Sequence, residues 1–306
     1  MPRPRTLAAV LLAATLLGCD KAKPPREFDG KAAFAYIERQ LAFGFRTPGT
    51  DGHARMAAWL DSTVRQRADS VITQRWTHVT VQGDSLPLVN VIARFNPAAQ
   101  KRMLFLAHWD TRPKADGKNS PDSTKSVTGA NDGASGVAVL LGVADVLKRA
   151  PPPADLGVDL LFTDGEDYGD FTATPPTDVL IGARYYAAHQ PSGPQPLYAV
   201  LFDLVADKDL QIYQEGNSVT GAPEVVSLVW EMARDLGYGR IFVDTPKHVL
   251  TDDHVELQKA GIRAIDVVDF DYPAHHTPFD TIDKVSGESL QIVGDVAMGL
   301  VRREGS

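Results

Sequence analysis

The chain has 306 residues, 43% hydrophobic and 23% charged, the make-up of a soluble globular protein with one large core. Its formal net charge of -8 removes any electrostatic reason to bind nucleic acid. Cys19 is the only cysteine, which excludes an internal disulfide, so core burial has to hold the mature domain together.

Arg3 and Arg5 precede an apolar run, 7–17, that ends in Leu16-Leu17-Gly18-Cys19. A positive start, a short apolar stretch and a small residue before a cleavage point define an export signal. The run is too short to span a bilayer as a mature helix. The segment resembles a bacterial lipoprotein signal. That resemblance implies cleavage before Cys19, lipid on its sulfur, and anchoring to a bacterial membrane on the periplasmic or cell-surface side. A plain signal peptide with an incidental cysteine is the alternative. Residues 20–27 form a polar, proline-containing tether. Residues 28–306 read as one domain.

Asp29 is placed to cap a helix with Phe34, Ile37 and Leu41 on one face. A second helix is expected from Asp51 through Met56, Trp59 and Leu60. The β-branched stretches 71–81 and 88–95 predict strands, and 103–107 a short apolar one. A polar loop follows over 111–128. A helix is expected over 136–147, stopped by Pro151-Pro152-Pro153. Further strands are expected at 158–162, 197–204 and 264–268. Further helices are expected at 180–188, 223–236 and 289–301. Strands alternate with helices throughout, and no linker or repeat divides the chain. The pattern predicts a single three-layer α/β domain with a mostly parallel or mixed sheet and helices on both faces. In such sheets the active site lies beyond the carboxyl ends of the strands.

Chemistry-bearing residues follow the apolar strands. His108-Trp109-Asp110 follows Ala107, and the loop from Gly129 to Gly136 holds Asn131-Asp132. Asp164-Gly165-Glu166-Asp167 follows Phe162, Asp203 follows Phe202, and His275-His276-Thr277-Pro278 follows the 264–268 strand. This reading delivers imidazole or carboxylate at one end of five strands. So many acids at one edge need a neutralising cation, because unpaired carboxylates are costly to bury. Imidazole and carboxylate donors without a thiolate suit zinc better than calcium or magnesium. The glycine-rich loop could also cradle phosphate, but it lacks the glycine spacing and lysine of a P-loop. His53, His78, His189 and His248 have no motif around them and read as surface or core residues.

In order along the chain, His108-x-Asp110, the Gly129–Gly136 loop, Glu166-Asp167, Asp203, Asp252-Asp253-His254 and His276-Thr277-Pro278 resemble the peptidase M28 and glutaminyl cyclase family. The resemblance covers 108–283. It implies a zinc enzyme acting on peptide or protein amino termini. By position, Asp132 resembles the central ligand, Asp167 the next, where the family more often has Glu, and His276 the imidazole ligand. His275 is the alternative to His276. Glu166 resembles the general base. His108 and Asp203 match the ligands of a second zinc in the aminopeptidases, and Asp110 would orient His108.

Two reactions survive, with one zinc or two. A glutaminyl-peptide cyclotransferase closes N-terminal Gln to pyroglutamate and releases ammonia. A di-zinc aminopeptidase hydrolyses the first peptide bond. Cyclases carry Asp at the position of Asp252, where aminopeptidases usually carry Ser. Asp252 would then join Glu166 and Asp203 in a carboxyl network that must hold at least one proton. A protonated Asp203 is a poor second-zinc ligand. His275, in the place of a cyclase Trp, points the other way. The expectation leans to the cyclase; an inactive binding module is the third reading.

Overall fold

The computed structural model describes residues 26–304. Cys19 and the expected signal and most of the tether lie outside the described residues. The elements in order are α1 (Gly30–Leu41), α2 (Asp51–Arg65), β1 (Ser70–Val79), β2 (Ser85–Phe95), β3 (Lys101–His108), α3 (Ala134–Arg149), β4 (Leu156–Thr163) and α4 (Ile181–Ala188). They continue as β5 (Ala199–Asp203), β6 (Ile212–Gln214), α5 (Gly216–Gly221), α6 (Pro223–Asp235), β7 (Phe242–Pro246), α7 (Asp253–Lys259), β8 (Ala264–Val268) and α8 (Gly287–Arg303). The predicted cap forms: the Asp29 carboxylate accepts the Ala32 amide at 3.0 Å.

The six-stranded sheet runs β1-β2-β4-β3-β5-β8. Strands β4, β3, β5 and β8 are parallel, while β2 pairs antiparallel with β4 and β1 antiparallel with β2. The sheet is therefore mixed, with a parallel centre. Along β3, Met103, Phe105 and Ala107 join the core with α1, α3 and α8, whereas Leu104 and Leu106 join the core with α4 and α7. This alternation is the period-2 geometry of a strand covered on both faces. Asp159 on β4 is buried in a two-pronged ion pair with Arg102, at 2.6 and 2.9 Å. No helix among the described residues is long and apolar enough to cross a membrane.

The small parallel pair β6-β7, helix α5 and helix α7 were not expected. Strands of three and five residues carry too little alternation to read, and α7 is a seven-residue helix inside the Asp252–His254 motif.

Gly136 opens α3 against β5, and a Cβ there would drive into the Phe202 carbonyl oxygen. Gly136→Ala is expected to destabilise the fold by about 3 kcal/mol, because the Phe202 backbone and the Ala107 Cβ that it meets cannot swing away. Denaturant unfolding measures it, and an unchanged midpoint contradicts this packing.

Asp269 lies just beyond β8, is 1% exposed, and accepts the Gln211 amide at 2.9 Å. Burial pushes its carboxyl up to about 7 from an ordinary value of 3.8. The folded chain therefore holds this proton more tightly than the unfolded one. Its contribution is complete below about pH 4 and is lost as pH rises through about 7. Asp269→Asn mimics the protonated acid. It is expected to gain about 2 kcal/mol over the parent at pH 8 and nothing near pH 4. Thermal melts at the two pH values check this; an equal shift at both pH values contradicts it.

Candidate active site

The four parallel strands end on one edge. His108 closes β3, Asp203 closes β5, the chain leaving β4 carries Asp164, Glu166 and Asp167, and the chain leaving β8 reaches His275 and His276. The expectation of five strands is corrected to four. Asp132 follows the long polar loop rather than a strand, and it enters the site at the start of α3.

Gly133 caps α3 with φ +83°, a backbone region that disfavours side chains. A Cβ there would also sit 2.7 Å from the Asp110 carbonyl oxygen. The glycine-rich loop thus serves close approach of α3 to β3, and it places Asp132 between two imidazoles. His108 Nε2 is 3.2 Å from Asp132 Oδ1, and His276 Nε2 is 3.5 Å from Asp132 Oδ2. Asp280 holds this loop from behind, accepting the Asn131 and Asp132 amides at 2.8 and 3.1 Å.

In two sets of residues, one ligand atom from each lies within 4.8 Å of the others: His108, Asp132 and Asp203, and Asp132, His275 and His276. His108 Nε2 is 3.3 Å from Asp203 Oδ1. Asp132 Oδ2 and Asp167 Oδ2 are buried without any hydrogen-bond partner. Orphaned buried carboxylate oxygens beside imidazoles fit a divalent cation. Nitrogen and oxygen donors without sulfur fit zinc.

Asp167 belongs to neither compact set. It meets His276 Nε2 at 3.3 Å, and Arg112 Nη1 holds its Oδ1 at 2.6 Å. Against the effect of burial, His276 and Arg112 keep this carboxylate ionised well below the usual range. Arg112 also grips Asp116 at 2.6 and 2.7 Å. His275 is brought to Asp132 as well as His276. Burial and the neighbouring His276 push its imidazole down to about 4, so it is neutral. His276 has φ +53°, a strained backbone of the kind that clusters at functional sites.

Glu166, Asp203 and Asp252 line one cavity of about 840 Å³ together with Asp132, His275 and His276. Burial raises the proton affinity of all three carboxyls. Glu166 is held well above its ordinary range by burial; His108 opposes this and Asp252 and Asp167 add to it. The Asp252 side chain caps α7 by accepting the Asp253 amide, which fixes the carboxyl at the cavity wall.

Asp110 sits 3.5 Å from His108 Nδ1, which has no hydrogen-bond partner. Its closer contacts are the Glu166 and Asp167 amides, at 3.1 and 3.2 Å. Asp110 therefore aims the Glu166-Asp167 pair more directly than it orients His108.

The four histidines that carry no motif lie outside both donor sets. His53 is buried, stacked on Trp109 at 4.5 Å and bonded to Asp164 at 2.9 Å. His78 pairs with Asp178, His248 with Asp271, and His189 stacks on Tyr185. Sequence reasoning missed Arg112 and Asp280. Arg112 lies two residues after Asp110, but its grip on Asp167 crosses 55 positions. The Asp280 contact crosses 149.

A mixed α/β sheet with metal donors at the parallel carboxyl edge defines a metallo-exopeptidase type of fold. Peptidase family M28 matches residues 90–301, and the chain belongs to that family. The glutaminyl-peptide cyclotransferase of Gloydius blomhoffii is 25% identical over 240 residues, 66% of this chain and 62% of that protein. The matched region thus spans less than two thirds of that curated relative. Among solved structures, a Bacteroides thetaiotaomicron glutaminyl cyclase bound to N-acetylhistamine has a TM-score of 0.85 and 31% identity, covering 90% of this chain and 98% of that one. A Zn-dependent exopeptidase from Parabacteroides distasonis has a TM-score of 0.83 and 32% identity, covering 92% and 99%. Family and donor set together imply zinc.

Proposed function

We propose that the chain is a zinc-dependent glutaminyl-peptide cyclotransferase. The observation that carries this reading is the trio Glu166, Asp203 and Asp252 around one cavity with the metal donors. Cyclisation of an N-terminal Gln is a proton-shuffling reaction that consumes no water, and it needs carboxyls that hold and release protons. The likeness to the Bacteroides thetaiotaomicron cyclase supports it.

Asp132, Asp167 and His276 would hold the zinc. Zinc supplies a Lewis acid for the side-chain carbonyl of the substrate Gln. The α-amine nitrogen bonds to the carbon of that γ-amide, closing a five-membered lactam, and the bond from that carbon to the amide nitrogen breaks. Glu166 takes the proton lost by the α-amine and returns it to the departing nitrogen, which leaves as ammonia. Asp252 raises the proton affinity of Glu166, and Asp203, itself raised by burial, helps to keep the shared proton in the cavity. Asp110 fixes the direction of Glu166 through its amide.

One observation favours a second reading, a di-zinc aminopeptidase: His108, Asp132 and Asp203 form a compact donor set of their own. Incubation with one peptide beginning in Gln and one beginning in Leu, read by mass, separates the two. The cyclase reading expects loss of ammonia from the Gln peptide and an intact Leu peptide. Removal of the first residue from either peptide supports the aminopeptidase instead.

Lipid anchoring at Cys19 rests on residues 1–19 and belongs to the same proposal. Cys19→Ala is the test: the variant should leave the detergent phase on phase separation, and its retention there would overturn the anchor.

A further inference from the structure

Residues 249–252 line the active-site cavity and run from Val249, 74% exposed, down to Asp252, 8% exposed. They belong to no strand or helix, and α7 starts only at Asp253. A carboxyl that shares a proton with Glu166 needs a fixed place. Here the chain that carries it has no regular element of its own to supply one.

Glu215, between β6 and α5, supplies the support. It is 1% exposed and uses both carboxylate oxygens. Oε1 accepts the Asn217 and Leu250 amides, each at 2.8 Å. Oε2 accepts the Ser218 amide and hydroxyl at 2.6 and 2.7 Å, and the His254 ring Nε2 lies 3.0 Å from it. The Asn217 and Ser218 amides are the cap of α5. The other contacts leave α5 and surround Asp252. Leu250 stands two residues before it and His254 two residues after it. A third arm passes through Ser218, whose hydroxyl accepts the Asp266 amide at 2.9 Å. Asp266 lies on β8, fully buried, and burial together with the neighbouring Asp252 carboxyl raises its proton affinity. The wall is stitched on further by Asn217 Nδ2 to the Leu250 carbonyl at 2.6 Å and by the Gly216 amide to the His248 carbonyl at 2.7 Å.

Glu215 does not itself handle the proton. Neither it nor His254 lines the cavity. Burial favours its neutral form, but the His254 ring and the Leu250 and Asn217 amides outweigh that and hold its carboxyl down to about 2. It stays ionised while Glu166 and Asp252 gain proton affinity.

We propose that Glu215 is a positioning residue that sets Asp252 in the active-site cavity. This rests on the place given to Asp252 in the cyclase reading. The test is a double-mutant cycle on the zinc-loaded full chain, with thermal melts and zinc content measured for every variant. Glu215→Gln is expected to lower kcat about tenfold or more, the scale of a displaced catalytic group, with KM and bound zinc close to the parent. Asp252→Asn is expected to lower kcat as well. In the Asp252→Asn background, Glu215→Gln should change kcat less than about twofold, because the group it positions has gone. A second pair of variants decides the matter if Glu215→Gln does not fold. His254→Gln keeps a donor towards Glu215 and should turn over like the parent, whereas His254→Leu should lose kcat. The proposal is overturned by a folded Glu215→Gln with the parent's kcat, by a full loss that persists in the Asp252→Asn background, or by equal kcat in the two His254 variants. Parent-level turnover in Asp252→Asn overturns it too. Turnover is followed on whichever peptide the parent converts. Release of an amino acid rather than ammonia would therefore sink the cyclase reading, while the Glu215 comparison is still read.

Discussion

Glu166→Gln is expected to lower turnover about a thousandfold, the scale of a lost general base, while the bound zinc stays at the level of the parent. The reason is local. Glu166 is buried with its proton affinity held high, so an amide of the same shape replaces its neutral form with little disturbance. Its amide remains on Asp110, and neither compact donor set includes it. What disappears is the ability to take a proton and give it back. Activity and metal content have to be measured on one preparation. Retained activity removes Glu166 as the base, and lost zinc recasts it as part of the metal cradle.

The second large effect is removal of the metal. Dialysis against a zinc chelator is expected to abolish turnover, and added zinc to restore it. Stability should fall as well, because Asp132 and Asp167 each bury a carboxylate oxygen that the chain does not satisfy. At a zinc concentration a thousand times its dissociation constant, the loss amounts to about 4 kcal/mol. Thermal melts with and without zinc read it directly. An apo form that melts with the holo form would mean that these oxygens do not hold the ion.

Much of this was legible in the chain itself. Asp29 announced α1, and the short apolar stretches of β3 and β4, the latter interrupted by Asp159, announced strands. The site was legible because its residues occur as short ordered motifs, four of them on the chain at or beyond the ends of parallel strands. The supports of the site were not. Arg112 and Asp280 act across the sheet edge, and no local pattern records which acid an arginine will grip or which amides a distant Asp will cap. Asp110 shows the same limit. Its spacing from His108 suggested a partner for that imidazole, but the turn after β4 carries the Glu166 and Asp167 amides to its carboxylate. The strand count failed for a related reason, since Asp132 reaches the edge on a glycine loop packed against β3. Pairs such as β6-β7 are stabilised by tertiary context and too short to leave a period.

His275 is the residue on which the two reactions divide. It lies 3.8 Å, ring to ring, from His276 and within reach of Asp132, and it is neutral. A neutral imidazole beside the metal donors serves either reaction, so the trio of carboxyls carries the argument rather than His275.

The most direct measurement is turnover of a Gln-initiated peptide in heavy-oxygen water, with ammonia and products followed together. The account predicts one ammonia released per peptide converted and a lactam product that takes up no solvent oxygen. Solvent oxygen in a newly formed carboxyl group, with free glutamine released, would contradict it.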